Sequence, residues 1–192
     1  IHHRVKNNLQ TVSALLRLQS RRSENEQVKA ALAEAQRRVA TIALVHETLS
    51  QTIDESMDFD DLISRMLSLS ADIAVNDSHA RTRLVGSVGS VPSSAATALA
   101  VVITELVANA VEHGLKDRQG TVTLAAEREG DELTFQVIDD GVGIDDSGPG
   151  SGLGTQIVRT LVTAELRGII QWVRCEEGVT VVTVHAHLRR NE

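Results

Sequence analysis

The chain has few of the residues on which several functional classes depend. Its 192 residues include no tyrosine and only three other aromatics, Phe59, Phe135 and Trp172, so it lacks stacking platforms for single-stranded nucleic acid. The net charge of −7 also argues against binding a phosphate backbone. The lone Cys175 cannot form an internal disulfide, which suits a reducing cytoplasm. No apolar run approaches the roughly 20 residues that span a bilayer, and no signal-peptide pattern begins the chain.

The charge is unevenly distributed along the sequence. Residues 1–53 carry 8 Lys and Arg against 4 Asp and Glu, whereas residues 54–192 carry 11 against 22. A basic N-terminal part is therefore joined to an acidic part. Such a basic surface would steer an acidic protein partner toward it, although an ordinary solvated surface explains the asymmetry equally well.

The first fifty residues have the apolar periodicity of two helices. Steps of three and four predict helices of about 20 and about 25 residues, separated by a polar break at 22–26. The apolar series are Ile1, Val5, Leu9, Val12 and Leu16, then Val28, Leu32, Ala35, Val39, Ile42, His46 and Leu49. These stripes are too extensive for one hairpin to bury, so residues 1–53 are predicted to form a dimerising helical hairpin that builds a four-helix bundle in a homodimer.

From residue 54 onward the pattern predicts a second, mixed domain. Strands and helices follow one another without regular alternation, which favours an α+β two-layer sandwich over residues 54–192, with helices on one face of a mixed sheet. Ser93 or Ser94 is the expected N-cap of its long apolar helix. The predicted segments are an acidic connector 54–61, helix 62–75, strand 81–88, helix 93–114, hairpin 121–127 and 132–138, loop 140–152, helix 153–166, and strands 169–174 and 179–185.

Three short boxes in this second part carry chemistry. In T-E-L-V-A-N-A at 104–110, Glu105 and Asn109 lie four apart and share one helix face. The amide oxygen of Asn109 is a suitable ligand for Mg²⁺, and Glu105 could orient a metal-bound water or assist proton removal. A solvated polar face is the alternative interpretation.

The other two boxes are rich in glycine. In D-D-G-V-G-I at 139–144, Asp139 could accept a hydrogen bond from the exocyclic amine of adenine, and the glycines let the backbone approach a flat base. In G-S-G-L-G at 150–154, bare backbone at a helix start could present N–H groups to phosphates. A strand-end turn and a flexible linker are the alternatives, and neither a Walker nor a dinucleotide fingerprint is present.

In their order and spacing, the boxes resemble the N, G1 and G2 boxes of the ATPase fold shared by gyrase, Hsp90, histidine kinases and MutL. H-H-R-V-K-N-N-L-Q at 2–10 resembles the phosphoacceptor box of the sensor histidine kinases with a His-Arg-x-Lys-Asn motif, and A-L-V-H-E at 43–47 also resembles that subfamily. The chain is similar to actinobacterial cytosolic sensor kinases that signal to RNA-binding antiterminator response regulators.

The resemblance implies a function and a set of site residues. It implies ATP-dependent autophosphorylation of His3, followed by transfer to an aspartate of a response regulator, with the sensor module upstream of Ile1. It assigns Mg²⁺ to Asn109, adenine to Asp139 and a positioning or deprotonating role to Glu105. The remaining implied nucleotide-binding residues are Gly141, Gly143, Gly150, Gly152, Leu153 and Gly154.

The chain departs from the family pattern in its charges. Arg4 follows His3 where many histidine kinases have an acid, and Glu112 stands where many relatives carry a basic residue near the phosphates. Loop 145–152 contains no Lys or Arg. Phosphate neutralisation would then fall to Mg²⁺, backbone N–H groups and the candidate cations Lys116, Arg118 and Arg159.

Two rival functions stay open from the sequence. A serine-kinase switch protein would share the ATPase boxes but lack the hairpin with its His-Arg-Val-Lys-Asn-Asn motif. A degenerate scaffold would bind nucleotide or a partner without transferring a phosphoryl group, which the missing basic residues favour and the complete boxes disfavour.

Overall fold

The computed structural model describes residues 2–50, 56–73, 80–115, 118–142, 150, 152–175 and 178–188; for residues 2–6, 56 and 68–73 it describes the backbone alone. Gly143 and Lys116 lie outside the described residues, and so does the side chain of His3.

The N-terminal part is the expected antiparallel helical hairpin. Helix α1 runs over His2–Arg22 and α2 over Glu26–Leu49, which confirms the two predicted lengths. Asn25 is the N-cap of α2, because its side-chain oxygen accepts hydrogen bonds from the backbone N–H groups of Gln27 and Val28. Gln36 Nε2 donates to the Ser13 carbonyl at 3.4 Å, which sets these two residues opposite each other in the hairpin.

The second part is a two-layer α+β sandwich, as predicted. Its main sheet has five strands, in the order β2 (Ala80–Gly86), β4 (Gly120–Glu129), β5 (Glu132–Asp139), β7 (Thr180–His187) and β6 (Ile169–Arg174). Strands β2 and β4 are parallel, and the other neighbouring strands are antiparallel. Alternate residues of β5 and β7 are buried, so the helices cover one face of the sheet. The elements are β1 (Ser56–Asp58), α3 (Phe59–Ile73), β2 (Ala80–Gly86), β3 (Ser90–Pro92), α4 (Ser93–Asn109), a π-helical turn (Ala110–Leu115), β4 (Gly120–Glu129), β5 (Glu132–Asp139), α5 (Leu153–Ala164), β6 (Ile169–Arg174) and β7 (Thr180–His187).

Two local predictions were wrong. The acidic connector is shorter than expected: residues 56–58 pair with β3, and α3 begins at Phe59, where the Asp60 N–H donates to the Asp58 carboxylate at 3.1 Å. The predicted cap of α4 was also misplaced, because Pro92 occupies the N-cap position without a side-chain hydrogen bond and both predicted serines lie inside the helix. Proline fixes the backbone just before the helix, so no side-chain cap is needed to start it.

One hydrophobic core joins α2 to the sandwich. Val45 of α2 is fully buried in the same cluster as Phe59, Leu99 and Phe135, and Leu44 packs against it. The segment Ser93–Leu115 is long and apolar enough to meet a length-and-composition test for a membrane span, contrary to the sequence expectation. Of the most apolar stretch of this segment, 67% is buried inside the protein, which is typical of a core helix.

Candidate functional site

The residues of the first box lie at the C-terminal end of α4. Glu105 is buried and Asn109, one turn later, is half-buried. The sequence predicted an α-helix that continues to Gly114, but the α-helix ends at Asn109 and a wider π-helical turn follows over Ala110–Leu115. Such π-turns are rare and concentrate at functional sites. The sequence periodicity gave no sign of this turn, because apolar residues continue through it.

Asp139 ends β5 against the π-helical turn. A Cβ atom added to Gly114 would lie 2.5 Å from the Asp139 carboxyl carbon, and one added to Gly141 would lie 1.9 Å from the Gly114 carbonyl oxygen. The Val142 N–H donates to that same carbonyl at 2.8 Å. Because both glycines lack side chains, the second box is in direct backbone contact with the π-helical turn that follows the first box.

The carboxyl group of Asp139 is electrostatically strained. Burial raises the pKa of Asp139 above the ordinary value of 3.8, and the negative charge of Asp140 raises it further. The Gly141 N–H, which donates to the carboxylate at 3.1 Å, and the nearby Thr180 hydroxyl act in the opposite direction and lower the pKa. A charged acceptor held in this way is suited to a ligand that donates a hydrogen bond.

Thr180 is a site residue that the sequence reasoning missed. It pairs with Asp139 across β5 and β7, and it is almost completely buried. Its hydroxyl oxygen makes no hydrogen bond of ordinary geometry among the described residues, although it lies near enough to favour the ionised carboxylate. A threonine at the first inward position of an alternating strand was the available signal.

The glycines of the third box differ in their surroundings. A Cβ atom on Gly150 or Gly152 would meet nothing within 4 Å, and Leu153 is 60% exposed. No side chain caps α5 at Gly152, so its first N–H groups are available to an anion. Gly154 is buried, and a Cβ there would lie 2.7 Å from Glu105 Oε2, so the third box contacts the first.

Glu105 is held by an arginine from the hairpin. Arg38 Nε and Nη2 donate to the two carboxylate oxygens of Glu105, both at 2.8 Å, and Nη2 also donates to Glu34 at 3.0 Å. Burial alone would lower the pKa of Arg38, but the hydrogen bonds and charges of these glutamates outweigh it and raise the pKa above its ordinary value. Sequence reasoning missed Arg38 because it lies 67 residues from Glu105.

Two further contacts join α2 to α4 and to the π-helical turn that follows it. Arg37 Nη1 lies 2.6 Å from Glu112 Oε1, so the acidic residue that departs from the family pattern is neutralised by the hairpin. The hydroxyls of Thr41 and Thr104 are hydrogen-bonded at 3.1 Å in a buried environment. The hairpin and the candidate site therefore form one continuous structure.

The other candidate cations and histidines lie elsewhere. The Arg159 guanidinium stacks over Trp172, 4.4 Å from the ring centroid, and Arg118 is exposed. His185 contacts Thr134 and His187 contacts Glu132, away from the boxes. Within the described ranges, no group of three His, Cys, Asp or Glu side chains could hold a metal ion.

Comparisons with known proteins agree with this arrangement. Residues 1–73 match the family described as histidine kinase, and residues 94–190 match the family described as histidine kinase-, DNA gyrase B- and HSP90-like ATPase. The chain is 48% identical to the sensor histidine kinase PdtaS of Mycolicibacterium smegmatis, over 99% of this chain and 39% of that protein. PdtaS of Mycobacterium tuberculosis is 47% identical with the same coverage, so the chain spans about two-fifths of these curated relatives.

A solved structure supports the fold over nearly the whole chain. The histidine kinase domain of the EL346 blue-light-activated histidine kinase from Erythrobacter litoralis has a TM-score of 0.70 at 21% identity, covering 93% of this chain and 96% of that one. With both sequence families matched in the expected order, the chain belongs to the histidine kinases and carries the ATPase domain that they share with DNA gyrase B and HSP90.

Proposed function

We propose that the chain is the catalytic core of a two-component sensor histidine kinase. It would transfer the γ-phosphoryl group of ATP to His3 and then to an aspartate of a response regulator. The observation that carries the proposal is the convergence of the three boxes. Gly141 contacts Gly114, in the π-helical turn that continues the first box, and Gly154 contacts Glu105. A serine-kinase switch protein is disfavoured, because the described chain begins with the hairpin that such a protein would lack.

The pocket residues fit a magnesium nucleotide. The buried Asp139 carboxylate would accept from the adenine amine, and the unpaired hydroxyl of Thr180 would complete that end of the site. Asn109 would hold Mg²⁺, which supplies charge neutralisation when bound. The phosphates would lie toward Gly150, Gly152 and Leu153, whose open surroundings leave room for them and whose backbone leads into α5.

Histidine 3 is the proposed nucleophile of the reaction. A neutral imidazole nitrogen would attack the γ-phosphorus, the bond to the ADP leaving oxygen would break, and a phosphohistidine would result. Since Gln36 lies opposite Ser13, the backbone of His3 lies level with about residue 46 of α2. Arg38 and the docked α4 then lie about 12 Å further along the hairpin, at 1.5 Å per residue, so transfer requires the ATPase part to move toward His3.

The partners proposed are a second copy of this chain and a receiver domain. Helix α1 exposes three large apolar side chains, those of Val12, Leu15 and Leu18. A four-helix bundle of two hairpins would cover them. The basic hairpin would meet the acidic phosphoacceptor pocket of a response regulator. Because ATP is the phosphoryl donor, the proposed location of this core is the cytoplasm.

The test is labelling with γ-labelled ATP and Mg²⁺ in the wild type, His3→Gln and His2→Gln. We expect acid-labile, alkali-stable label in the wild type and in His2→Gln, and none in His3→Gln. Label that persists in His3→Gln would move the phosphoacceptor elsewhere. Tight ATP binding without any label in the wild type would favour a nucleotide-binding scaffold instead.

A further inference from the structure

We propose that Arg38, from helix α2 of the hairpin, is the basic residue that binds the phosphates of the nucleotide. The inference rests on the proposed function and names a residue that completes its site. It would make the ATP site a joint product of the two parts of the chain, rather than of the ATPase fold alone.

The position of the guanidinium is the first argument. Nη2 would lie 3.5 Å from a Cβ atom on Gly154, at the first turn of α5. The guanidinium is held there by two hydrogen bonds to Glu105, and the side chain is only 12% exposed. An arginine fork fixed by a buried carboxylate is preorganised for a phosphate, because its remaining N–H groups keep a defined direction.

The positions of the other described cations are the second argument. Loop 145–152 contains no Lys or Arg. Arg37 is paired with Glu112, Arg159 is stacked on Trp172, and Arg118 is exposed. Of the basic side chains that the structure describes near α4 and α5, Arg38 is the one that lies against the glycine box.

The local charge explains how a phosphate would be accommodated. Arg38 faces two carboxylates, so this cluster carries a net charge of about −1 and would repel an anion. Glu105 is 3% exposed and cannot easily leave, whereas Glu34 is 35% exposed and lies one turn away on the same helix. The phosphate oxygens would therefore replace Glu34 on Nη2, and Glu105 would continue to hold Nε.

The decisive experiment measures affinity as phosphates are removed from the ligand. Dissociation constants of ATP, ADP, AMP and adenosine would be determined by calorimetry, with Mg²⁺, for the wild type and four variants. For Arg38→Gln we expect ATP to bind ten- to a hundredfold more weakly, as for the loss of about one charge-assisted hydrogen bond, with adenosine binding unchanged. For Glu34→Gln we expect ATP to bind several-fold more tightly.

Lys29→Gln is the matched control. It removes one positive charge from the same helix and also breaks an ion pair, but its partner Glu26 lies on α2 itself. We expect its ATP-to-adenosine affinity ratio to equal that of the wild type. Arg38→Lys keeps the positive charge but lacks the paired N–H donors of the guanidinium, so it should restore part of the ATP affinity. This variant also replaces Arg38→Gln in the experiment if Arg38→Gln does not fold.

Several results would overturn the inference while leaving the proposed function intact. An equal weakening of all four ligands in Arg38→Gln would show a structural role. Unchanged ATP affinity with faster autophosphorylation would show that Arg38 only holds the ATPase part away from His3. Failure of the proposed function would instead appear in the wild type, as absence of phosphohistidine despite ATP binding.

Discussion

Replacing Gly141 by alanine tests whether the second box must touch the π-helical turn that follows the first box. The new methyl group would stand 1.9 Å from the Gly114 carbonyl oxygen and 2.9 Å from the Leu115 nitrogen, whereas ordinary contacts begin at 3.4 Å. Both obstacles are backbone atoms, so no flexible side chain can move aside. Either the Asp139–Val142 segment or the π-helical turn must shift by more than an ångström.

The cost follows from two contributions. Overpacking a tight site typically costs about 1–3 kcal/mol, and this contact belongs at the upper end. The displaced Val142 N–H would also lose its 2.8 Å bond to Gly114, which contributes about 1 kcal/mol. We therefore expect Gly141→Ala to lower the free energy of unfolding by about 4 kcal/mol and to weaken adenosine binding, because Asp139 moves with the segment.

Gly152→Ala is the matched control from the third box. A Cβ there meets nothing within 4 Å, and the residue has φ −60°, which alanine adopts readily. Its free energy of unfolding should stay within about 0.5 kcal/mol of the wild type. Urea unfolding and adenosine titration would measure both variants. Equal losses in the two variants, or a tolerated Gly141→Ala, would refute the close packing of the boxes.

Three further outcomes are expected. The pKa of Asp139 is raised above its ordinary value of 3.8 in the folded state, so the folded chain binds more protons than the unfolded chain and stability falls as the pH rises above about 4. Asp139→Asn should remove this fall in urea stability and abolish adenosine binding. Thr180→Val should weaken adenosine binding and change stability by no more than about 1 kcal/mol, since its buried hydroxyl makes no hydrogen bond of ordinary geometry among the described residues. A larger stability loss would contradict this. Leu15→Glu should give a monomer in sedimentation, whereas Leu153→Glu, equally exposed but outside the hairpin, should not.

The elements that could be predicted from the sequence are those whose pattern is local. The helical hairpin follows from steps of three and four, and β4 and β5 follow from alternation around Gly130, whose φ of 60° suits the turn. The conversion of the α4 extension into a π-helical turn has no such local signal, because it is enforced by the packing of Gly114 on Asp139. The domain boundary at residues 53 and 54 stays a prediction, since residues 51–55 lie outside the described ranges.

The residues of the candidate site are predicted one by one from short motifs, whereas the contacts between them are not. The boxes single out Glu105, Asn109 and Asp139, because each has its chemistry in a short motif, and their roles stay predictions. Arg38 and Thr180 were missed, because an arginine in an amphipathic helix and a threonine in a strand are ordinary until the fold brings them beside a carboxylate. Long-range ion pairs depend on the docking of α2 on α4, and no local periodicity encodes that docking.

Two ion pairs fix the position of α2 along α4 and the π-helical turn. Arg38 contacts Glu105 and Arg37 contacts Glu112, so both ion pairs form at only one relative position of the helices along their axes. A slip of one helical turn, about 5.4 Å, would bring Arg38 level with Val101 or Asn109 and would strand the buried Glu105 carboxylate without a cation. Intermediate settings are therefore unfavourable, and any travel of the ATPase part along the hairpin must proceed by full release and re-engagement rather than by gradual sliding.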